Sequence, residues 1–217
     1  VGIGSGSIGD GLDKFDGINW THFDDANSGL PENDIRCLKA DTTGNLWLSY
    51  YGGSGTSVNG LTKFDGINWT VYDTTNSAIL SNLITDIQVD EENNIWISCV
   101  GGISKFDGTT FTNYILPFNG RLAIQDSANI WIGVYGYGLH HFNPLNNSLT
   151  IYNKINSNIP SNSISCIDID TNGIIWLGFS FAFNGGIGVG GTNGGLATFN
   201  GTTFTTISRN CNCCNAR

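Results

Sequence analysis

A short phrase recurs along the 217-residue chain, and this repetition restricts its fold more than any other feature. The phrase Gly-(Leu/Ile)-x-Lys-Phe-Asp-Gly stands at residues 11–17, 60–66 and 102–108, and weaker copies stand at 138–143 and 195–201. A short run rich in aromatic and β-branched residues follows each copy. Five copies in this length give a period of about 43 residues, which is long enough for one supersecondary unit per repeat.

Each repeat is predicted to hold four short strands, which we label A to D in chain order. An alternating run that ends near an aspartate gives strand A, and a phrase of the type Asn-Ile-Trp-Ile-Gly gives strand B. The recurring Lys-Phe-Asp phrase gives strand C, and the aromatic run after it gives strand D. Asp-Gly and Thr-Gly-Asn predict the turns. The sequence therefore predicts an all-β fold, a five-bladed β-propeller of four-stranded antiparallel blades.

The first predicted blade is incomplete, because it has no A strand. A single domain of residues 1–207 is expected to hold blades at about 1–23, 35–73, 84–114, 121–152 and 164–207. The Cys-rich tail, residues 208–217, closes the ring in one interpretation, and a neighbouring subunit supplies the missing strand in another. In a third, the chain is a segment of a longer protein and the tail is a linker.

Composition excludes several classes of function. Nine Lys and Arg against 18 Asp and Glu give a formal net charge of −9, which argues against a nucleic-acid partner or an anionic membrane surface. The longest apolar stretch, residues 174–183, is about half the length of a membrane helix, so no membrane insertion is expected. Six cysteines, an even number, favour an extracellular or cell-surface location, with the periplasm as second choice.

Three segments together resemble a known repeat family. They are Asn-Ser-Gly-Leu-Pro-Glu-Asn at 27–33, Asp-Thr-Thr-Gly-Asn-Leu-Trp-Leu at 41–48, and Gly-Leu-Thr-Lys-Phe-Asp-Gly at 60–66. They look like the two-component regulator propeller repeat, which occurs in periplasmic sensor regions of bacterial hybrid histidine kinases and in secreted proteins of Bacteroidota. The resemblance implies a propeller fold and an exported setting. The motif residues are turn and core positions, so it implies little about function.

The cysteines predict how the ring or a polymer is closed. Cys37 and Cys166 occupy the same position of their A strands. We expect two of the tail cysteines to form disulfides with them, which would staple the ring shut. In the alternative in which a neighbouring subunit completes the blade, the leftover thiol, Cys99 or one in the tail, is a candidate cross-link between subunits. The tail cysteines are Cys211, Cys213 and Cys214.

Two further sets of residues are candidates for binding. Aromatic side chains in or beside the B–C connections predict a face for a glycan or peptide ligand or a protein partner. Packing between blades is the favoured alternative for Tyr50 and Phe179, which continue strand B. Alternation along the A strands predicts a second set, which shares one face with Cys37 and Cys166 and lines a central channel. The first set is Tyr50, Tyr51, Tyr135, Tyr137, Phe181 and Phe183, and the second is Lys39, Asp86, Gln88 and Asp168.

Weak modification motifs are also present. Asn-x-Ser/Thr sequons predict N-linked sites, and Asp-Thr-Thr and Asp-Ser-Ala resemble O-glycosylation motifs of Bacteroidota. The candidates are Asn19, Asn68, Asn146, Asn200, Thr42, Thr74 and Ser127.

No catalytic or cofactor site emerges from the sequence, and none is expected. Asp168-x-Asp170-x-Asn172 begins like a calcium loop, but Phe179 stands where a bidentate Glu is needed, so a hairpin turn is favoured. His140 and His141 are adjacent on a strand, so they point to opposite faces and do not suit one metal.

The expected function is therefore a non-catalytic, exported structural or interaction propeller that self-associates into a homo-oligomer or extracellular filament. A sensor-type propeller that binds a glycan or peptide is the first alternative. A propeller hydrolase or lyase is the second.

Overall fold

The computed structural model describes residues 2–3, 11–51, 60–180 and 195–207. In these residues the chain forms nineteen β-strands joined by turns. The same residues hold no helix with the length and hydropathy needed to cross a membrane. The strands belong to two compact units, residues 1–120 and 121–217.

The first unit holds three antiparallel sheets, each a simple meander in chain order. Sheet 1 has three strands in the described residues: β1 (Gly2–Ile3), β2 (Leu12–Phe15) and β3 (Trp20–Phe23). Sheet 2 has four, β4 (Ile35–Ala40), β5 (Leu46–Tyr50), β6 (Leu61–Phe64) and β7 (Trp69–Tyr72). Sheet 3 also has four, β8 (Ile84–Val89), β9 (Ile95–Cys99), β10 (Gly102–Phe106) and β11 (Phe111–Ile115).

The second unit holds two four-stranded antiparallel meanders. Sheet 4 consists of β12 (Arg121–Asp126), β13 (Asn129–Val134), β14 (Gly138–Asn143) and β15 (Ser148–Tyr152). Sheet 5 consists of β16 (Ile164–Ile169), β17 (Ile175–Phe179), β18 (Gly195–Phe199) and β19 (Phe204–Ile207). The predicted all-β fold of four-stranded antiparallel sheets is confirmed in sheets 2 to 5.

An aspartate and a tryptophan six residues apart hold the hairpin between strands A and B. In sheet 2 the Asp41 carboxylate accepts hydrogen bonds from the backbone N–H groups of Thr43 and Asn45, at 3.0 and 2.9 Å, and from Trp47 Nε1 at 2.9 Å. Burial raises the pKa of Asp41, but hydrogen bonds from Trp47, Asn45 and Thr43 outweigh it and lower that pKa to about 2. The recurring Asp and Trp of the sequence are therefore parts of one structural device.

The same contact recurs in the other four-stranded sheets. Trp96 donates to Asp90 at 2.8 Å, Trp176 donates to Asp170 at 3.0 Å, and Trp131 donates to the neutral amide oxygen of Gln125 at 3.0 Å. Asp170 also accepts hydrogen bonds from the backbone N–H groups of Asn172 and Ile174. The calcium-like segment of the sequence is thus a hairpin turn.

Glycine before strand C is required by a close approach of two strands. Gly60 has φ +55°, and a Cβ there would overlap the carbonyl oxygen of Tyr72 at the end of strand D. Gly11, Gly102 and Gly138 are in the same situation. The first residue of the recurring phrase is therefore set by backbone packing.

Hydrophobic side chains fill the space between neighbouring sheets. In the first unit one cluster includes Leu12, Leu48 and Phe64, from sheets 1 and 2, and another includes Trp47, Ile87 and Phe106, from sheets 2 and 3. In the second unit Trp131, Leu139, Ile164, Leu177 and Phe199 belong to one cluster. Each sheet is thus covered on a face by the next sheet of its own unit.

Candidate functional site

Neighbouring sheets inside a unit pack through a repeated aromatic contact. The last residue of strand D in one sheet lies against two rings of the next sheet, one at the end of strand C and one at the start of strand D. We call the face that carries the last D residue the front face, and the face that carries the two rings the rear face. The centroid of Phe23 lies 5.6 Å from that of Phe64 and 6.4 Å from that of Trp69. The centroid of Tyr72 lies 5.1 Å from that of Phe106 and 5.9 Å from that of Phe111. The centroid of Tyr152 lies 4.9 Å from that of Phe199 and 6.0 Å from that of Phe204.

The rear face of sheet 1 is exposed. Phe15 and Trp20 occupy its two ring positions and stack with centroids 4.8 Å apart, but their exposed fractions are 46% and 66%. The equivalent Phe64 and Phe106 of sheets 2 and 3 are only 8% and 3% exposed. Sheet 1 therefore presents an aromatic pair of the kind that the other sheets of its unit bury.

A polar pair lies beside these rings on the same rear face. Asp13 and His22 are cross-strand partners, and His22 Nδ1 is 2.8 Å from Asp13 Oδ1. Sheet 2 has Thr62 and Val71 at these two positions, and Thr62 is fully buried. Aromatic side chains next to polar ones are typical of protein–protein interfaces.

The front face of sheet 5 is exposed in a similar way. Leu196 and Ile207 are paired across β18 and β19, and their exposed fractions are 38% and 39%. The equivalent Leu61 of sheet 2 is fully buried. Trp176 is also only partly buried, whereas the equivalent Trp47 is 3% exposed. The second unit thus has an apolar front face that is open to solvent.

The predicted ligand or partner face is only partly exposed, and the prediction that Tyr50 belongs to it is wrong. Its side chain is 2% exposed and packs with Leu48 and Phe64, because it continues β5 into the space between sheets 1 and 2. Tyr51, the next residue, is 51% exposed and lies under the Arg36 guanidinium, which is 5.5 Å from the ring centroid.

The other predicted face residues fall into two groups. Tyr135 and Tyr137, in the turn between β13 and β14, are 60% and 68% exposed. Phe181 and Phe183 lie outside the residues that the structure describes. Phe179 is buried in the core of the second unit.

The residues predicted to line a channel follow a β-bulge in the A strands of sheets 2, 3 and 5. The bulges lie between Ile35 and Cys37, Ile84 and Asp86, and Ile164 and Cys166. Lys39, Asp86 and Gln88 are partly buried, and Asp168 is exposed. Lys39 pairs with Trp47, so it shares the front face of sheet 2 with that ring. A channel-lining role stays a prediction.

The described cysteines differ in their surroundings. Cys37 is buried and its Sγ donates to the Thr85 carbonyl at 3.4 Å, Cys99 is buried, and Cys166 is exposed. Burial raises the pKa of the Cys99 thiol to about 11. No disulfide joins two of these three residues. The predicted partners Cys211, Cys213 and Cys214 lie outside the described ranges, so the disulfide hypothesis stays a prediction.

All seven candidate modification sites are exposed. They are Asn19, Asn68, Asn146, Asn200, Thr42, Thr74 and Ser127. Exposure makes each accessible, and modification itself stays a prediction.

The two adjacent histidines make contacts within sheet 4 and the turn between β13 and β14. His140 is buried, with Nε2 3.3 Å from the Tyr137 carbonyl, and burial lowers its pKa. His141 stacks on Trp131 with ring centroids 4.2 Å apart, and burial lowers its pKa as well. Across residues 2–3, 11–51, 60–180 and 195–207, no group of three or more His, Cys, Asp or Glu residues could hold a metal ion.

Sequence reasoning missed the two open faces. A usable signal was present at residue 207, because the equivalent position of strand D is Phe or Tyr in the other four repeats and Ile207 in the fifth. Another was Asp13, a charged residue at a position where Thr62 and Ser104 are small and buried.

Known proteins resemble this chain in one repeat and in its fold. Residues 29–52 match the family described as two component regulator propeller, and the match includes β4, β5 and the Asp41–Trp47 contact. The resemblance seen in the sequence is thus confirmed. No curated protein matches the chain.

Solved structures that resemble the chain are propeller-like proteins. An extracellular domain of a hybrid two-component system from B. thetaiotaomicron is 19% identical with a TM-score of 0.59, covering 81% of this chain and 25% of its own. PorZ, a surface component of the type-IX secretion system of Porphyromonas gingivalis, is 16% identical with a TM-score of 0.64, covering 81% and 29%. Streptogramin B lyase is 12% identical with a TM-score of 0.63, covering 86% and 58%.

These similarities concern the fold. The chain spans 25% and 29% of the lengths of the sensor domain and of PorZ, so it corresponds to a part of each. Both neighbours are extracellular or surface proteins, and the lyase has the same kind of fold with a different role. A fold of this kind therefore does not by itself identify a function.

Proposed function

We propose that this chain is a non-catalytic, exported structural or interaction propeller that self-associates into a homo-oligomer or extracellular filament through its incomplete first blade. The observation that carries this proposal is the exposed rear face of sheet 1, with the stacked pair Phe15 and Trp20 at 46% and 66% exposure. Large exposed aromatic side chains beside a polar pair favour a role in binding protein.

Five sheets that each contain a copy of the recurring phrase support a count of five blades. The first blade has three strands in the described residues, and its missing A strand would come from the tail, residues 208–217, or from a neighbouring subunit. Tail disulfides to Cys37 and Cys166 belong to the first possibility, and a cross-link between copies belongs to the second. The resemblance to extracellular and surface proteins supports an extracellular or cell-surface location, with the periplasm as second choice.

Analytical ultracentrifugation over a range of concentrations tests self-association. We expect a mass above the 23.3 kDa of one chain that rises with concentration. The double variant Phe15→Ser/Trp20→Ser should weaken association by at least about thirtyfold, since truncating even one important interface aromatic costs about 2 kcal/mol.

The matched control is Ile18→Ser, because Ile18 is 86% exposed in the β2–β3 turn of the same sheet and is not part of the aromatic pair. It should leave association unchanged. Circular dichroism confirms that each variant is folded. A monomer at every concentration would contradict the proposal.

A sensor-type role in binding a glycan or peptide is the second candidate. It is favoured by Tyr135 and Tyr137, two aromatic side chains exposed in one turn of the second unit. Saturable binding on a glycan or peptide array that is lost in Tyr135→Ser/Tyr137→Ser would support this candidate. An activity as a hydrolase or lyase is supported only by the likeness of fold.

A further inference from the structure

We infer that the surface that covers the rear face of sheet 1 is the front face of sheet 5 of a second copy of this chain, in a head-to-tail arrangement. This inference rests on the proposed self-association and names the partner surface. The front face of sheet 5 consists here of Trp176, Leu196, Thr198, Thr205 and Ile207.

The template for the contact is present three times within the two units. In each instance the last D residue lies against the ring that ends strand C and the ring that starts strand D, with centroids 4.9–5.6 Å and 5.9–6.4 Å apart. Sheet 1 has both rings, Phe15 and Trp20, in the same stacked arrangement as Phe64 and Trp69. It therefore presents the receiving half of a contact that the fold already makes.

Sheet 5 presents the other half. Leu196 occupies the position of Leu12, Leu61 and Leu139, which are at most 1% exposed, yet Leu196 is 38% exposed. Its cross-strand partner Ile207 occupies the position of the residue that touches both rings. Placing Ile207 on Phe15 and Trp20 would bury apolar surface on both faces at once, which is the main driving force of association.

The two faces differ from each other, so the contact is heterologous. Each copy would use its sheet 1 toward one neighbour and its sheet 5 toward another. Such a contact continues from copy to copy unless its rotation closes a ring. This symmetry agrees with a homo-oligomer or filament.

Photo-cross-linking between isotopically distinct copies tests the inference. The photoreactive amino acid p-benzoylphenylalanine replaces Phe15, and unlabelled and ¹⁵N-labelled copies of the variant are mixed, irradiated, digested and sequenced by mass spectrometry. We expect cross-links from position 15 to residues 195–207, with half of them joining light to heavy peptides. The same probe at Ile18 is the control and should not reach residues 195–207.

Four results would overturn the inference. Cross-links that never join light to heavy peptides would mean that sheet 5 meets sheet 1 within one chain. Cross-links to another part of a second copy would place the partner surface elsewhere. Their absence in a sample that ultracentrifugation shows to be associated would refute this contact while leaving the proposed self-association intact, whereas a strictly monomeric sample would refute both.

Substitution of Ile207 gives an independent measurement. Four repeats have Phe or Tyr at this position, so Ile207→Tyr should tighten association about three- to tenfold, and Ile207→Ser should weaken it about tenfold. Ile67, 85% exposed in the β6–β7 turn, provides the control variant Ile67→Ser. Equal dissociation constants for all three variants and the unmodified chain would contradict the assignment of residue 207.

Discussion

The Asp–Trp contact makes a prediction about acid stability that can be checked within one chain. Trp47→Phe removes the indole N–H that donates to Asp41 at 2.9 Å, and the buried carboxylate loses one of its partners. Trp131→Phe removes the equivalent N–H in sheet 4, where the acceptor is the neutral amide oxygen of Gln125. Trp47 and Trp131 are 3% and 5% exposed, so the two changes remove similar buried volume.

The difference between the two variants isolates the charge of the acceptor. A hydrogen bond to a charged group contributes about 1.5–3 kcal/mol, and a neutral one about 0.5–1.5 kcal/mol. Trp47→Phe should therefore lower the free energy of unfolding by about 1 kcal/mol more than Trp131→Phe at neutral pH.

The pKa of Asp41 fixes the pH range over which this difference changes. Its pKa is about 2 in the folded chain, below the usual 3.8. A lowered carboxylate pKa stabilises the folded state above the usual value, and this stabilisation is lost as the pH falls from about 4 to about 2. The gap between the variants should narrow over that range.

Urea unfolding followed by circular dichroism, at neutral pH and near pH 2, measures both quantities. Protonation of other carboxylates affects both variants, so only the difference between them is interpreted. Equal losses at neutral pH would refute the charge argument. A gap that stays constant down to pH 2 would show that it arises from packing.

Three further outcomes are expected. Gly60→Ala should lower the free energy of unfolding by about 2 kcal/mol or more, because φ is +55° and the new Cβ meets the Tyr72 carbonyl. In the control Gly195→Ala the new Cβ meets open space, so the free energy of unfolding should change little. Thermal unfolding compares the two variants. Under reducing conditions an alkylating reagent should modify exposed Cys166 well before Cys99, because burial raises the pKa of the Cys99 thiol to about 11. Mass spectrometry measures the two rates of modification. Comparable rates would contradict the burial of Cys99. For a chain of residues 1–217 recovered after secretion, an intact mass above 23.3 kDa would show modification, and the sequence mass would exclude it.

The sequence predicted strands well because each has a local signal. The Asp41–Trp47 spacing, the alternation in strand A and the Gly before strand C are short-range patterns that repeat, so errors in one copy are corrected by the others. The same patterns cannot say which side chains a neighbouring sheet covers. Tyr50 and Tyr51 are adjacent aromatic residues, and only the packing of sheets 1 and 2 decides that the first is core and the second is surface.

The open faces were hard to predict for the same reason. Phe15 and Phe64 belong to nearly identical phrases, yet they differ in exposure by a factor of more than five. Burial of these rings depends on whether another sheet lies against them, which is a property of the array and not of the repeat. Repetition in a sequence therefore predicts a core at every copy, whether or not another sheet covers that copy.

The residue types on the rear face of sheet 1 indicate that another surface covers it. A repeat whose outer face is left to water is usually polar there, because this keeps the array soluble. Sheet 1 follows that rule at Asp13 and His22, where a half-exposed polar pair replaces Thr62 and Val71 of sheet 2. It breaks the rule at Phe15 and Trp20, which keep the aromatic stack of the buried repeats. A face on which two exposed aromatic rings lie beside a polar pair combines solubility of the free chain with affinity for a partner. Substitutions at Phe15 and Trp20 should therefore separate folding from association.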